Sequence, residues 1–315
     1  MKLIIQIPCF NEEQTLPVTL KALPRRVAGF RSVEWLIVDD GSSDRTAEVA
    51  RAAGAHVVSH NKNKGLARAF MTGIDACLQR GADVIVNTDA DNQYSAADIP
   101  RLVAPILEDR AEIVIGARPI DEIEHFSLVK KLLQRLGSLI VRLFSNTDIP
   151  DAPSGFRAIA RDAAMRLNVF GDYTYTIETI IQAGQKNMHI TFVPISVNSQ
   201  MRQSRLIKSI PSYLIKSLQS IIRIFVVYSP FKFFITIGLV LLLIGSLPGF
   251  RFLYYYFSGE GSGHIQSLIL ASVLLGFGFQ TILSAFLADL LGVNRKLAEE
   301  IKYNLKKQMF DKKGR

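Results

Sequence analysis

Short apolar runs alternate with helical stretches through the first part of the chain. Residues 3–7, 35–38, 56–59, 84–87 and 113–115 have the length and apolar content of buried strands. Between them, residues 15–27, 45–53, 67–80 and 99–108 space their apolar positions as helices do. This alternation predicts an α/β domain, Rossmann-like, with a mostly parallel sheet covered on both faces. Ligands of such sheets bind beyond the carboxyl ends of the strands. Asn11-Glu12-Glu13, Asp39-Asp40-Gly41-Ser42 and Asp89-Ala90-Asp91 each follow an expected strand. Helix capping would explain any one of these acidic loops; three at one sheet edge predict a site.

The second part reads differently. No Asp or Glu occurs from residue 179 to residue 259, whereas Arg202, Arg205, Lys208, Lys216, Arg223 and Lys232 do. Basic residues are attracted to an anionic leaflet and acidic ones are not. Residues 212–229 set Lys216, Gln219, Ser220 and Arg223 on one helical face and apolar residues around the rest, the pattern of an interfacial helix. Residues 233–250 carry no charge, and 268–287 have Gln280 as their main polar interruption. Both approach the roughly 20 residues that span a bilayer. Tyr254, Tyr255 and Tyr256 close the first segment like an aromatic belt. The loop 258–264 lacks Lys and Arg, while Lys232, Arg295, Lys296, Lys302, Lys306, Lys307, Lys312 and Lys313 flank the other side. The positive-inside rule then predicts a multi-pass protein of the cytoplasmic (inner) membrane, with the α/β domain and both termini cytosolic. The N-terminal apolar stretch is too short for a signal peptide and is interrupted by Pro8. The expected organisation is an α/β domain over 1–205, amphipathic juxtamembrane helices over 206–230, a two-helix transmembrane hairpin over 231–291 and a basic cytosolic tail over 292–315.

Charge and composition narrow the partners. The net charge is +9, which asks for an anionic partner. The basic residues lie beside the spans and no stacking aromatics alternate with them, so membrane and phosphorylated substrates are expected and nucleic acid is not. Cys9 and Cys77 make neither a zinc site nor a disulfide framework and read as small buried hydrophobes. The five histidines show no ligand spacing, so structural or solvent roles are expected for them. The spans leave homo-oligomerisation open.

The chemistry is carried by the acidic loops. Asp89 and Asp91, one residue apart after a strand, can aim at one divalent cation, with the Gln93 amide nearby. Hard oxygen ligands suit Mg2+ or Mn2+, which keep positions open for diphosphate oxygens. Asp40, at a strand end, can accept from base N–H or ribose hydroxyl groups, whereas Asp44 or Ser43 serves equally well as a helix cap. Glu178 divides between a sheet-edge contact and a plain helix-face charge.

Four stretches in order then make a family resemblance: Ile7-Pro8-Cys9-Phe10-Asn11-Glu12-Glu13, Val38-Asp39-Asp40-Gly41-Ser42-Ser43-Asp44-Arg45-Thr46, Asn61-Lys62-Asn63-Lys64-Gly65 and Asp89-Ala90-Asp91-Asn92-Gln93. Together they resemble the family 2 glycosyltransferases of GT-A fold. Gly116-Ala117-Arg118 and the stretch from Asp151 to Arg157 narrow the likeness to the polyprenyl-phosphate branch, the dolichyl-phosphate mannose synthase type. The resemblance implies inverting transfer of a sugar from a nucleotide diphosphate to undecaprenyl or dolichyl phosphate. UDP-glucose, UDP-N-acetylglucosamine and GDP-mannose all stay open as donors. It assigns Pro8, Glu12, Asp40, Lys64, Gly65, Asp89, Ala90 and Asp91 to the nucleotide sugar. Asp89, Asp91 and Gln93 fall to the metal. Arg118 and Asp151 fall to the reacting centre, with Asp148 a rival to Asp151. Ser154 and Arg157 belong to an acceptor-side loop, and Arg202 and Arg205 to the lipid-phosphate entry. A surface salt bridge is the plainer alternative for Arg118 and Arg157. Two rival functions are weaker. A processive synthase needs more spans and a Gln-x-x-Arg-Trp motif, yet the only tryptophan is Trp35. An inactive membrane scaffold would not need the acidic loops intact.

Overall fold

The computed structural model describes residues 1–119, 137–139, 141–142, 145, 147–169, 175–199, 219, 222–223 and 225–311. It divides into two compact units, Met1–Leu206 with Ile301–Arg315, and Ile207–Glu300.

The first unit is built on a seven-stranded sheet in the order β3-β2-β1-β4-β6-β5-β7. Its strands are β1 (Lys2–Cys9), β2 (Ser32–Asp39), β3 (His56–Ser59), β4 (Val84–Asn87), β5 (Ile113–Ala117), β6 (Arg157–Ala160) and β7 (Ile190–Pro194). Only β6 runs antiparallel, between β4 and β5. β1 sits inside the sheet and is buried from Leu3 to Cys9, as its continuous apolar run requires. Leu3, Ile5 and Ile7 face a core shared with α1 (Leu16–Ala22), α2 (Thr46–Ala52) and α4 (Ile99–Leu107). The other face of β1 meets α3 (Leu66–Gln79), where Gly73 leaves room for the Gln6 amide. Two shorter helices, α5 (Arg161–Arg166) and α6 (Thr176–Gln185), complete the unit.

The expected strands and helices are present, with corrected bounds. The helix expected over 15–27 stops at Ala22, because Pro24 supplies no N–H and disfavours helical backbone just before it. β6 and β7 were not anticipated. The segment expected to be an acceptor-side loop enters β6 at Arg157.

The second unit contains α7 (Pro230–Phe257) and most of α8 (Ile265–Asp311). Both helices are long and apolar enough to cross a membrane. Only 11% and 17% of their most apolar windows are buried, which is not the state of soluble core helices. Their backbones approach closely: a Cβ on Gly238 would stand 3.0 Å from the Gly278 carbonyl oxygen, and one on Gly278 3.1 Å from that of Gly238. Of the expected amphipathic helix, only scattered positions from Gln219 onward are described, all but Ser229 helical; the rest of it lies outside the described residues.

The last turns of α8, from Ile301, count with the first unit. Tyr303 donates to Asp162 Oδ1 at 2.6 Å, Lys306 pairs with Asp75 on α3 at 2.7 Å, and Arg161 donates to the Phe310 carbonyl at 3.3 Å. Phe310 is buried there. Within the segment expected to be a basic cytosolic tail, Tyr303, Lys306 and Phe310 thus contact the α/β domain.

Candidate active site

Because β2, β1 and β4 are adjacent and parallel, their acidic loops emerge side by side. The loops after β1 and β2 are laced together. Asn11 N–H donates to Ser42 Oγ (2.9 Å), and Asn11 Oδ1 accepts from Ser43 N–H (2.8 Å). Glu12 N–H donates to Thr46 Oγ1 (2.8 Å), and Glu13 N–H to Asp44 (3.1 Å). Asp44 also accepts the Thr46 N–H at the start of α2. Burial alone would raise the Asp44 pKa, but its bonds from Thr46 and Glu13 outweigh this and hold it below the usual carboxylate range. Pro8 and Glu12 are buried, and the Glu12 carboxylate accepts from the Thr15 hydroxyl.

Asp40 is tied to the loop before α3. Its Oδ1 accepts Lys64 N–H (2.9 Å), its Oδ2 accepts Gly65 N–H (2.8 Å), and His60 Nδ1 stands 2.6 Å from Oδ1. Gly41, at φ +73, allows this approach: a Cβ there would lie 2.5 Å from the Lys62 carbonyl carbon. The Lys64 side chain is exposed.

Asp89 and Asp91 are half-buried on the turn after β4. Asp91 Oδ1 accepts Gln93 N–H at 3.1 Å, and the buried Ala90 offers its carbonyl to Thr19 at 2.8 Å. Asn198 closes the turn from outside, through the carbonyls of Asn92 and Gln93 at 2.8 Å each. Beneath lies a buried polar chain. Asn87 accepts from Gln6 (2.9 Å) and donates to the Gly155 carbonyl and the Tyr175 hydroxyl (2.8 Å each). The Tyr94 hydroxyl accepts Gly155 N–H at 3.0 Å. Burial pushes the Tyr94 phenol up to about 12 and the Tyr175 phenol well above its ordinary value, so both act as neutral hydroxyls. A Cβ on Gly155 would stand 3.2 Å from Asp89 Oδ1 and 3.0 Å from the Tyr175 hydroxyl. Glycine lets the segment leading into β6 pass close to the acidic turn.

No group of three or more His, Cys, Asp or Glu side chains among the described residues is placed to hold a metal ion by itself. Asp89 and Asp91, with Gln93 two residues on in the same turn, offer hard oxygen ligands without closing a shell. That set fits Mg2+ or Mn2+ sharing its shell with diphosphate and water, and it does not fit a closed zinc site.

Arg118, just past β5, grips Asp151 with both arms of its guanidinium: Nε to Oδ2 at 2.7 Å and Nη2 to Oδ1 at 2.9 Å. The Arg118 N–H adds a third bond at 3.1 Å. Asp151 is fully buried, whereas its rival Asp148 is exposed. The Arg118 pair is therefore not a surface salt bridge. Arg157 is fully buried. It donates to the carbonyls of Ser154 and Thr176 and to the Thr179 hydroxyl, and lies over the Tyr175 ring. Burial lowers its pKa. Ser154 is also fully buried. Ser154 and Arg157 thus stand buried in the floor formed with Gly155 and Tyr175. Glu178 is buried in the first turn of α6. Arg202, Arg205, Lys208 and Lys216 lie outside the described residues.

Sequence reasoning missed His60, Asn87 and Tyr175. Each acts through a bond to a residue at least 20 positions away, and no spacing rule reports such a bond.

Comparison with known proteins agrees with this architecture. The chain is 29% identical over 218 residues to the undecaprenyl-phosphate mannosyltransferase of Micrococcus luteus, covering 65% of this chain and 88% of that protein. It is 28% identical over 214 residues to the UDP-N-acetylglucosamine–dolichyl-phosphate N-acetylglucosaminyltransferase of Methanococcus voltae, covering 60% and 82%. Among solved structures, glucosyl-3-phosphoglycerate synthase from Mycobacterium tuberculosis, in complex with Mn2+, UDP-glucose and phosphoglyceric acid, aligns with a TM-score of 0.55 at 21% identity. That match covers 70% of this chain and 79% of the synthase, and speaks to the fold. The description of glycosyl transferase family 2 matches residues 4–167, more than half the chain. The family anticipated from the loops is thus the one found: this protein is a glycosyltransferase belonging to glycosyl transferase family 2.

Proposed function

We propose that the protein transfers a sugar from a nucleotide diphosphate to a polyprenyl phosphate at a membrane surface, with Mg2+ or Mn2+ bound at Asp89 and Asp91. The observation that carries this reading is the buried Arg118–Asp151 pair beside the acidic turn, in a chain with two helices long and apolar enough to cross a membrane. The polyprenyl-phosphate specificity in the names of both curated relatives supports the acceptor class. The divalent ion with UDP-glucose in the structural neighbour supports the metal and donor class. Self-association finds no support here.

The geometry fits the chemistry of such an acceptor. A phosphate monoester has a second pKa near 6 and is largely dianionic at neutral pH. It needs little help from a base. Its difficulty is approaching a second anion, which is met by positive charge placed in advance and by fixed distance. A divalent ion would neutralise the diphosphate leaving group. Arg118 supplies the protein's own cation there. Asp151, engaged three times by Arg118, is a poor general base and a good clamp: it fixes the rotamer of that cation. Asp89 and Asp91 hold the donor end, and the Asn87–Tyr175–Gly155 chain keeps their turn in place. Arg202 and Arg205 serve the entering lipid phosphate, so Arg205→Ala should weaken acceptor use more than nucleotide binding.

The test is to give membranes carrying the protein a panel of radiolabelled UDP- and GDP-sugars, with added polyprenyl phosphate and Mg2+ or Mn2+. Labelled lipid is expected with at least one donor and none after chelation. No labelled lipid with any donor would overturn the proposal.

A further inference from the structure

We propose that His60 is a positioning residue for the donor side of the site: through Asp40 it fixes the backbone of Lys64 and Gly65. The link from this latch to nucleotide binding rests on the functional reading above; the latch itself does not.

His60 is the first residue beyond β3, and its ring is clasped at both ends. Nδ1 lies 2.6 Å from Asp40 Oδ1, and Nε2 lies 3.0 Å from Thr72 Oγ1 on α3. The side chains of His60 and Asp40 are only 7% and 5% exposed. An ionised carboxylate only accepts hydrogen bonds, so Nδ1 carries the proton on the Asp40 side, and in the neutral ring Nε2 accepts from Thr72. A carboxylate offers about four acceptor positions. Among the described residues, His60, Lys64 N–H and Gly65 N–H fill three of those on Asp40. About one remains for a ligand donor. Its orientation is thus set from behind by His60 and from above by the loop. The His60 N–H adds a bond to the Asp39 carbonyl at 2.9 Å, and the close approach at Gly41 presses the loop onto the end of β2. The result is a fixed backbone at Lys64 beneath an exposed ammonium. The latch thus fixes the root of one cation on the donor side and leaves its exposed stem free to reach a ligand.

Substitutions separate the two ends of the ring. His60→Asn keeps an N–H near the place of Nδ1. His60→Gln carries its amide to the place of Nε2 and loses the Asp40 bond. In the full-length protein, amide hydrogen exchange is read at Lys64 and Gly65 without nucleotide, and UDP and GDP are each titrated in the presence of Mn2+. For His60→Asn we expect slow exchange at both amides and a Kd within about twofold of the unsubstituted protein. For His60→Gln we expect clearly faster exchange and a Kd raised about tenfold, the effect of losing one hydrogen bond to a charged group. Equal behaviour of the two variants would overturn the proposal, because a ring that merely fills space would not distinguish them. Circular dichroism on both variants checks that they fold. Should the unsubstituted protein bind neither nucleotide, the functional reading falls, and exchange at the two amides still decides the latch.

Discussion

Asp91 spends one carboxylate oxygen on its own turn, at Gln93 N–H, which leaves the other for a ligand. Asp91→Asn keeps the turn and removes a charge, so transfer should be abolished while the unfolding temperature stays close to that of the parent. Asp151→Asn should reduce transfer less, because the clamp on Arg118 weakens but the cation remains; single-turnover rates for the two variants would show the order. Gly155→Ala pushes a methyl group between Asp89 and Tyr175. Overpacking of this kind costs about 1–3 kcal/mol, so both stability to urea and transfer should fall. Asp44 gives a pH dependence. Its folded pKa is depressed, so its stabilisation is present at neutral pH and lost as pH falls below about 4, the value in an unfolded chain. Acid unfolding of Asp44→Asn should therefore start from a lower stability at pH 7 and show a shallower decline. At this scale the sequence was legible where a residue works through its neighbours in the chain, as in Asp89-Ala90-Asp91. It read His60 only as structural or solvent-facing and was silent on Asn87; both bond partners that only the fold brings near.

Among the elements, long apolar runs announced themselves and short mixed ones did not. β1 and β4 are buried on both faces and read as continuous apolar stretches. β6 is four residues beginning with a buried arginine, and it lies antiparallel between two parallel strands. Nothing in Arg-Ala-Ile-Ala marks it as a strand; it exists because β4 and β5 both need a partner for their ladders. Its position explains why Arg157 is part of the floor. The hairpin of α7 and α8 was legible from hydropathy, but its packing was not. Gly238 and Gly278 let the two backbones meet, the usual means by which apolar helices associate in lipid. Gly238→Val should force the helices apart and lower the thermal stability of the detergent-solubilised protein. Nucleotide binding to the first unit should be unchanged, as titration with UDP or GDP would show.

For the molecule as a whole, the end of the chain makes contacts that its charge did not report. Charge alone made residues 292–315 a basic tail, because Lys306 and its neighbours read as the positive flank of the second span. The structure gives Lys306 a carboxylate partner in Asp75 and buries Phe310. Phe310→Ala should destabilise the α/β domain by about 3 kcal/mol, visible as a lower unfolding midpoint. Tyr303→Phe, which removes only the bond to Asp162, should cost about 1 kcal/mol. This arrangement also sets an order of manufacture. A ribosome releases residues 1–206 first, then the two apolar helices, and only then the turns that finish the first unit. The first unit therefore reaches its final contacts only after the hairpin has been synthesised, so its full stability and the two apolar helices arrive together.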